Sequence, residues 1–285
     1  MKSLMFLLIL CCSLTTLPAQ EPLSQDEALK QLYNQYDPAT ETAQWVCTKG
    51  QLIPSPYSEG WPCRKEDTNV SVSVLLMAEV QEDKAEKIYL VASAKPASDP
   101  SGYDCHACDP AIGVAVFTWQ AEHWVLQSAN AATGFWGGWG SPPYVDFVTV
   151  GPSKYGLILS LDNEGQGFAS SYKVLLVPAD KTVSNVWSIE DEQDDYGAYD
   201  PTDKFAIHVK YRSTAAIKFI GSDENANDRN DYYDIEVISR GNDMPGTSHR
   251  LKDENWTEIY RFSNGKYRLI QHKNYLEIKK PTKPH

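Results

Sequence analysis

The hydrophobic pattern along most of the chain has a period of two residues. From about Asn69 onward apolar and polar side chains alternate, as at Val70 and Val72, and a second apolar run at 87–94 predicts a hairpin that turns across Gln81–Lys84. Turn residues separate further predicted strands at 112–119, 123–129, 144–150, 155–161, 171–177, 184–189, 204–211, 215–220, 232–239, 257–262, 266–272 and 274–279. The surest turn is Asn264-Gly265. The sequence therefore predicts an all-β protein: an antiparallel sandwich, a barrel or a propeller-like meander.

One short helix is predicted before the strands. Ser24 and Glu27 have the spacing of a capping box, and apolar residues follow on one helical face, at Leu29, Leu32, Tyr33 and Tyr36. We expect Asp37-Pro38 to end this helix, because the residue before a proline avoids the α conformation. No long helical pattern follows, which disfavours doubly wound nucleotide-binding folds. We expect residues 21–66 to form one compact unit with the β-rich part, 67–285.

Residues 1–20 have the pattern of a secretory signal peptide. Lys2 precedes an unbroken apolar run from Leu4 to Leu10, and Leu17-Pro18-Ala19 offers a small residue for cleavage. The run is too short for a membrane-spanning helix, and no second apolar run reaches the roughly 20 residues that one needs. The sequence predicts an exported protein, periplasmic or secreted, with no transmembrane segment.

Charge and aromatic content narrow the choice of partners. The chain has a formal net charge of −12, which disfavours nucleic acid and anionic membranes because both are bound by clustered Lys and Arg. The acidic stretch Glu190–Asp203 is expected to be an exposed loop. The 16 Tyr and 8 Trp suit half-buried strands, and they also suit surfaces that contact sugars or proteins.

Four cysteines follow the predicted signal peptide, and an even number in an exported protein predicts two disulfides. Three pairings are open, and we favour the local one, Cys47–Cys63 and Cys105–Cys108. The first bridge would close a loop rich in Pro and Gly. A crosslink across a loop of about 15 residues contributes on the order of 3 kcal/mol in the chain-entropy estimate.

Cys105-His106-Ala107-Cys108 has three readings. A redox-active pair would need its first thiol at a helix N-terminus, but Asp109-Pro110 leads into a predicted strand. A zinc site would need two further ligands. A structural disulfide is favoured, and a thiol–disulfide function of Cys105 and Cys108 stays as an alternative.

A polar segment near the C-terminal third carries oxygen ligands at alternating positions. One register uses Asp223, Asn225, Asn227 and Asp231, and the other uses Asp228, Asn230 and Asp234. Such ligands suit a hard cation that takes six to eight oxygens. Residues 223–237 resemble the calcium loops of FG-GAP, integrin-type propeller repeats, although Asp stands where the turn glycine belongs. The resemblance implies a calcium-stabilised loop; an ordinary polar turn is the alternative.

The segment 134–144 is the best candidate for a binding surface. Phe135, Trp136 and Trp139 are set among glycines, and Tyr144 follows Pro142-Pro143. Rings displayed on a loop bind sugars or partner chains with a large contact area at a low entropy cost. The same rings would equally serve to plug the end of a barrel or sandwich.

No nucleophile motif with the right context is present, and a pair of glycosidase carboxylates cannot be recognised from spacing alone. We therefore interpret the chain as an exported, non-catalytic protein that binds an unidentified protein or carbohydrate, with calcium as its one candidate ion. An extracellular or envelope hydrolase with unlocated acidic residues is the alternative among enzymes.

Overall fold

The computed structural model describes residues 21–44, 69–82, 84–97, 104–105, 108–165, 167–194, 212–221, 232–243 and 252–274. In these ranges one helix, α1 (Gln25–Leu32), precedes fourteen strands. The strands are β1 (Asn34–Asp37), β2 (Thr42–Gln44), β3 (Asn69–Glu82), β4 (Ala85–Pro96), β5 (Ala111–Gln120), β6 (His123–Phe135), β7 (Tyr144–Gly151), β8 (Lys154–Gly165), β9 (Phe168–Ala179), β10 (Thr182–Asp194), β11 (Arg212–Ile220), β12 (Asp234–Asp243), β13 (Lys252–Ser263) and β14 (Lys266–Asn274). The one helix among the described residues, α1, is too short to span a membrane.

The strands form two antiparallel meanders, which confirms the predicted all-β class. Strands β1 to β6 make a six-stranded sheet, and β7 to β14 make an eight-stranded sheet that curls into a half-barrel. The predicted hairpin is formed by β3 and β4, with Glu82 opposite Ala85. The Asn264-Gly265 turn joins β13 to β14, and its φ angles of 51° and 77° are those of a tight hairpin turn.

The helix begins as predicted and ends earlier. The Ser24 side chain accepts a hydrogen bond from the Glu27 N–H, and Glu27 accepts one from the Ser24 N–H in return. The chain leaves the helix at Tyr33, whose backbone is extended, and Tyr36 lies in β1. The prediction of a helix up to Asp37-Pro38 was therefore wrong, because pairing of β1 with β2 satisfies this backbone as a strand.

The acidic stretch also differs from its prediction. Glu190–Asp194 continue β10, so the expected exposed loop is wrong for these residues. Pairing with Ser171 and Ala169 of β9 satisfies their backbone, and the Lys173 Nζ lies 3.6 Å from an Asp191 carboxylate oxygen. Residues 195–203 lie outside the described residues, as do Cys47, Cys63, the predicted strand at 204–211 and residues 275–279.

Three apolar cores are stacked through the molecule. The first lies between α1 and the six-stranded sheet, the second between the two sheets, and the third inside the half-barrel. In β4, Ile88 and Leu90 face the first core while Tyr89 and Val91 face the second. In β9, alternate side chains face the second and third cores in the same way. Strands that are buried on both faces explain the continuous apolar runs.

The two sheets are joined along a seam between β6 and β10. The Ala129 N–H donates to the Lys181 carbonyl, and the Asn130 Nδ2 donates to the Val183 carbonyl at 3.1 Å. The Ser128 hydroxyl donates to the Asp180 carbonyl at 2.9 Å. These bonds fix how the end of β6 is presented to the second sheet.

A buried ion pair lies at the β3–β4 hairpin, beside the second core. The Lys87 Nζ is 3.2 Å from one Glu82 carboxylate oxygen, and the Tyr89 hydroxyl donates to the other at 2.5 Å. The two charged side chains are nearly excluded from solvent. Burial of a charge is tolerated here because each one has a partner.

Gly113 of β5 makes room for Tyr33, and this contact gives a first prediction. An added Cβ would overlap the Tyr33 hydroxyl and would lie 2.9 Å from the Ala131 carbonyl oxygen. We expect Gly113→Ala to lower the free energy of unfolding by about 1–3 kcal/mol in urea denaturation, since overpacking forces buried groups apart. Adding Tyr33→Phe removes one clashing atom, so the double variant should be more stable than the sum of the two single effects predicts.

The matched control is Gly138→Ala, where an added Cβ meets no atom within 4 Å. Its unfolding free energy should change by less than about 0.5 kcal/mol. Equal losses for the two glycine variants would contradict the packing argument at Gly113.

Candidate functional site

A cavity of about 280 Å³ opens where the end of β6 meets the second sheet. It is formed by the segment that enters β5, the end of β6, and strands β8, β9 and β10. Its lining consists of Asp109, Phe135, Trp136, Leu161, Tyr172, Val174, Asn185 and Ser188. We call it the inter-sheet cavity. It combines three aromatic rings with a carboxylate, an amide and hydroxyl groups.

Backbone hydrogen bonds attach the aromatic loop, residues 134–144, to the segment that precedes β5. The Trp136 N–H donates to the Pro110 carbonyl at 3.1 Å, and the Gly140 N–H donates to the Cys108 carbonyl at 2.8 Å. The Cys108 N–H in turn donates to the Cys105 carbonyl. The structure thus brings the two most conspicuous sequence features, the aromatic loop and the Cys-x-x-Cys segment, side by side at one edge of the cavity.

Gly134 allows the Trp136 ring to fold back over the chain. A Cβ at Gly134 would overlap the indole of Trp136, so only glycine permits this position of the ring. Trp136 packs against the second core, and Phe135 packs against the first. Both rings are half-buried, and both leave part of their surface to the cavity.

Tyr172 lies on the opposite wall, in β9, with 38 % of its surface exposed. Partial burial raises the pKa of its hydroxyl, and a hydrogen bond with Glu190 raises it further, whereas one with Ser170 lowers it. The hydroxyl therefore stays protonated at neutral pH, donates its proton to Glu190, and can accept a hydrogen bond from a ligand.

The polar part of the lining comes from β10. Asn185 and Ser188 flank a register shift between β9 and β10, which directs both side chains into the cavity. The Asn185 Oδ1 accepts a hydrogen bond from the Trp187 N–H at 3.1 Å. This bond fixes the orientation of the amide, so that the Asn185 Nδ2 points away from the Trp187 N–H.

The charge of the lining selects among ligands. Asp109 is the one ionisable acid, and neither Lys nor Arg is among the described residues of the lining. The lining therefore offers an anionic ligand no lysine or arginine to pair with. The arrangement suits an uncharged ligand that has both an apolar face and hydroxyl groups.

Trp139 is displayed away from the cavity. It occupies a tight turn that is closed by hydrogen bonds in both directions between Gly138 and Ser141. Its φ angle is 53°, in the left-handed region that large side chains avoid, and 59 % of the residue is exposed. The backbone conformation of Trp139 is therefore unfavourable, and burial of its side chain offsets little of that cost.

The four aromatic residues predicted as one binding surface are divided by the fold. Phe135 and Trp136 line the cavity, whereas Trp139 and Tyr144 do not. Tyr144 starts β7 and is 69 % exposed, while its neighbour Val145 faces the second core.

Sequence reasoning missed most of the lining, because no local signal marks residues that meet only through the packing of the sheets. The missed residues are Asp109, Leu161, Tyr172, Val174, Asn185 and Ser188.

Cys105 and Cys108 are joined, with their Sγ atoms 2.09 Å apart. The chain then continues through Asp109 and Pro110 into β5. A redox-active pair usually has its first thiol at a helix N-terminus, which lowers the thiol pKa. In the described residues the pair is followed by a strand, β5, which begins at Ala111.

The predicted calcium ligands fall almost wholly outside the described residues: Asp223, Asn225, Asn227, Asp228, Asn230 and Asp231. Asp234 is described, and its carboxylate accepts hydrogen bonds from the Arg261 Nε and Nη2, the latter at 2.8 Å. Within the described ranges, no group of three His, Cys, Asp or Glu side chains could hold a metal ion. The calcium loop stays a prediction.

The different settings of the two tryptophans give a second prediction. Trp139→Ala should change the unfolding free energy by less than about 0.5 kcal/mol, because the ring is mostly exposed. Trp136→Ala should lower it by roughly 1–3 kcal/mol, since a half-buried ring leaves a void against the second core. Chemical denaturation measures both. Equal effects would contradict the division of the aromatic loop into a packed ring and a displayed ring.

Comparison with known proteins adds no relative to this description. No family model matches the chain, and neither a curated protein nor a solved structure does. The resemblance of residues 223–237 to FG-GAP repeats therefore rests on its dozen residues alone. The chemistry of the inter-sheet cavity has to be argued from the side chains that form it.

Proposed function

We propose that the chain is an exported, non-catalytic binding protein, and that the inter-sheet cavity binds a neutral sugar unit of a carbohydrate. The observation that carries this proposal is the composition of the lining. Trp136 and Tyr172 provide aromatic surface, Asn185 and Ser188 provide oriented polar groups, and no described lining residue carries a positive charge. Ligand sites in general combine apolar walls with a few convergent polar groups.

A pyranose ring matches this composition chemically. One face of such a ring carries mainly C–H groups, which lose contact with water when they cover an aromatic ring. Its hydroxyls both donate and accept, so they can pair with the Asn185 amide and the Ser188 hydroxyl, and they can donate to the Tyr172 oxygen. A cavity of about 280 Å³ is near the lower end of ligand sites, which fits a single sugar unit.

Binding is favoured over hydrolysis by the number of acids in the lining. Glycoside hydrolysis generally uses two carboxyl groups on opposite sides of the scissile bond. Asp109 is the single carboxylate in the described lining of the cavity. Its role in the proposal is to orient the ligand by accepting hydrogen bonds from sugar hydroxyls.

Export is supported by the apolar segment at Leu4–Leu10 and by the joined pair Cys105–Cys108. Disulfides persist outside the reducing cytosol. Because Gly140 and Trp136 are hydrogen-bonded to the Cys105–Pro110 segment, the disulfide would stiffen one edge of the binding site. In this proposal Cys105 and Cys108 have a structural role.

A third prediction tests the ligand class. Wild-type protein should bind members of an array of neutral oligosaccharides, and Tyr172→Ala should weaken the best hit at least about tenfold in calorimetry, because ring contact and a hydroxyl are lost together. Tyr172→Phe keeps the ring and should lose less. Tyr144→Ala, at a more exposed tyrosine outside the cavity, is the control and should bind like wild type.

Two results would contradict the sugar proposal. One is an array on which folded wild-type protein binds no neutral glycan. The other is tighter binding of a uronic acid than of the corresponding neutral sugar, because the described lining has no lysine or arginine to pair with the ligand's carboxylate. Loss of binding in Tyr144→Ala would place the site elsewhere.

We also propose that calcium stabilises the segment 223–234. A ligand that binds only the native state raises the melting temperature by mass action. Millimolar calcium should therefore raise the melting temperature of the wild-type protein, and Asp231→Asn should reduce this shift in either register. Asp162→Asn, an exposed acid in β8, should leave the shift unchanged. Absence of a shift in the wild-type protein would contradict the calcium proposal and favour the interpretation of the segment as an ordinary polar turn.

A further inference from the structure

A second cavity, of about 250 Å³, lies at the tip of the β5–β6 hairpin, away from the residues of the inter-sheet cavity. It is formed by the chain before α1, by one face of α1 and by the hairpin. Its lining consists of Glu21, Pro22, Leu23, Glu27, Gln31, Trp119, Glu122, His123 and Trp124. We call it the hairpin cavity. It contains two indole rings and three carboxylates.

The hairpin itself sets the two tryptophans against each other. Ala121 and Glu122 form its turn, both with positive φ, and this turn places Trp119 directly opposite Trp124 across the two strands. The ring centroids are 5.3 Å apart, and the ring planes meet at 65°. Such an edge-to-face pair is favourable, and it presents indole surface in two directions.

Trp124 is held in place from both sides. Its indole packs against the first core, and its Nε1 donates to the Glu21 carbonyl at 3.2 Å. Trp119 has no such role in the first core and stays half-exposed. One ring therefore organises the cavity, and the other supplies surface that a ligand could cover.

The charge around the rings is negative. Glu21, Glu27 and Glu122 line the cavity together with His123, and its described lining holds neither Lys nor Arg. Hydrogen bonds from the Ser24 side chain and backbone lower the pKa of Glu27, so this carboxylate is ionised at neutral pH. Lys30 acts on Glu27 only weakly and is not part of the lining.

We propose that the hairpin cavity binds an organic cation, an ammonium or guanidinium group, between the exposed face of Trp119 and the surrounding carboxylates. A cation over the face of an indole is attracted by the ring quadrupole, and Trp is the strongest of the three aromatic side chains in this respect. The carboxylates attract the same cation by Coulombic interaction, in addition to the attraction of the ring. The volume, below the usual range for a drug-sized ligand, suits one cationic side chain or one small amine.

The charge of the whole chain acts in the same direction. A formal net charge of −12 attracts cations and repels anions over distances longer than direct contact. The proposal is independent of the sugar site, because the two cavities share none of their lining residues.

The test uses the full exported protein with its tryptophans labelled with ¹⁵N. N-acetyl-arginine amide is titrated in, and the neutral isostere N-acetyl-citrulline amide is the matched ligand control. The arginine derivative should shift the indole N–H signals of Trp119 and Trp124, and the citrulline derivative should not at the same concentrations. A blocked tripeptide with a central arginine distinguishes the sources: tighter binding than the amide indicates a partner chain, and equal binding indicates a free cation.

Two pairs of variants make the test specific. Trp119→Leu should weaken arginine binding at least about fivefold, whereas Trp119→Phe should keep part of it. Glu122→Gln should weaken binding, whereas Glu164→Gln, an exposed glutamate on β8 outside the cavity, should not. Added salt should weaken binding further. Equal binding of the citrulline derivative, or undiminished binding by folded Trp119→Leu protein, would overturn the proposal.

Discussion

The rest of the structure depends on strands that are buried on both faces. β4 and β5 separate the first core from the second, and β9 separates the second from the third. Such strands have no polar face, so alternation of polarity does not fix their register. The register of these strands is therefore fixed by side-chain shape and by a few polar contacts. The bonds from Lys87 and Tyr89 to Glu82 favour the native register, because a slip of one residue would move both donors to the other face.

The same layering explains where the inter-sheet cavity lies. The seam between β6 and β10 is fixed by the hydrogen bonds of Ser128, Ala129 and Asn130, and the inter-sheet cavity follows farther along the same two strands. Tyr172 lies in β9, and Trp136 follows directly after the end of β6. For the proposed sugar ligand, walls built largely on strands would lower the entropy lost on binding.

The elements were more predictable than the site. The capping box at Ser24 and the Asn264-Gly265 turn are local signals, and each produced the expected structure. The end of α1 was missed because pairing of β1 with β2, a tertiary contact, overrode a helical spacing. Trp136 and Trp139 are three residues apart and have similar neighbours, yet one is packed and the other displayed. That difference depends on the space above Gly134, which the Trp136 ring occupies, and on the position of the eight-stranded sheet. The sequence pattern predicts neither.

In the described residues, the half-barrel ends at β14, whose outer backbone faces no further strand. Leu269 and Ile270 are each half exposed on it, a combination that invites pairing with the same strand of another molecule. Lys266, Arg268 and Lys273 lie along the same strand, and two such edges brought together would set like charges near each other. Repulsion between these basic residues would oppose pairing of β14 with the same strand of another molecule, in a chain that is acidic as a whole.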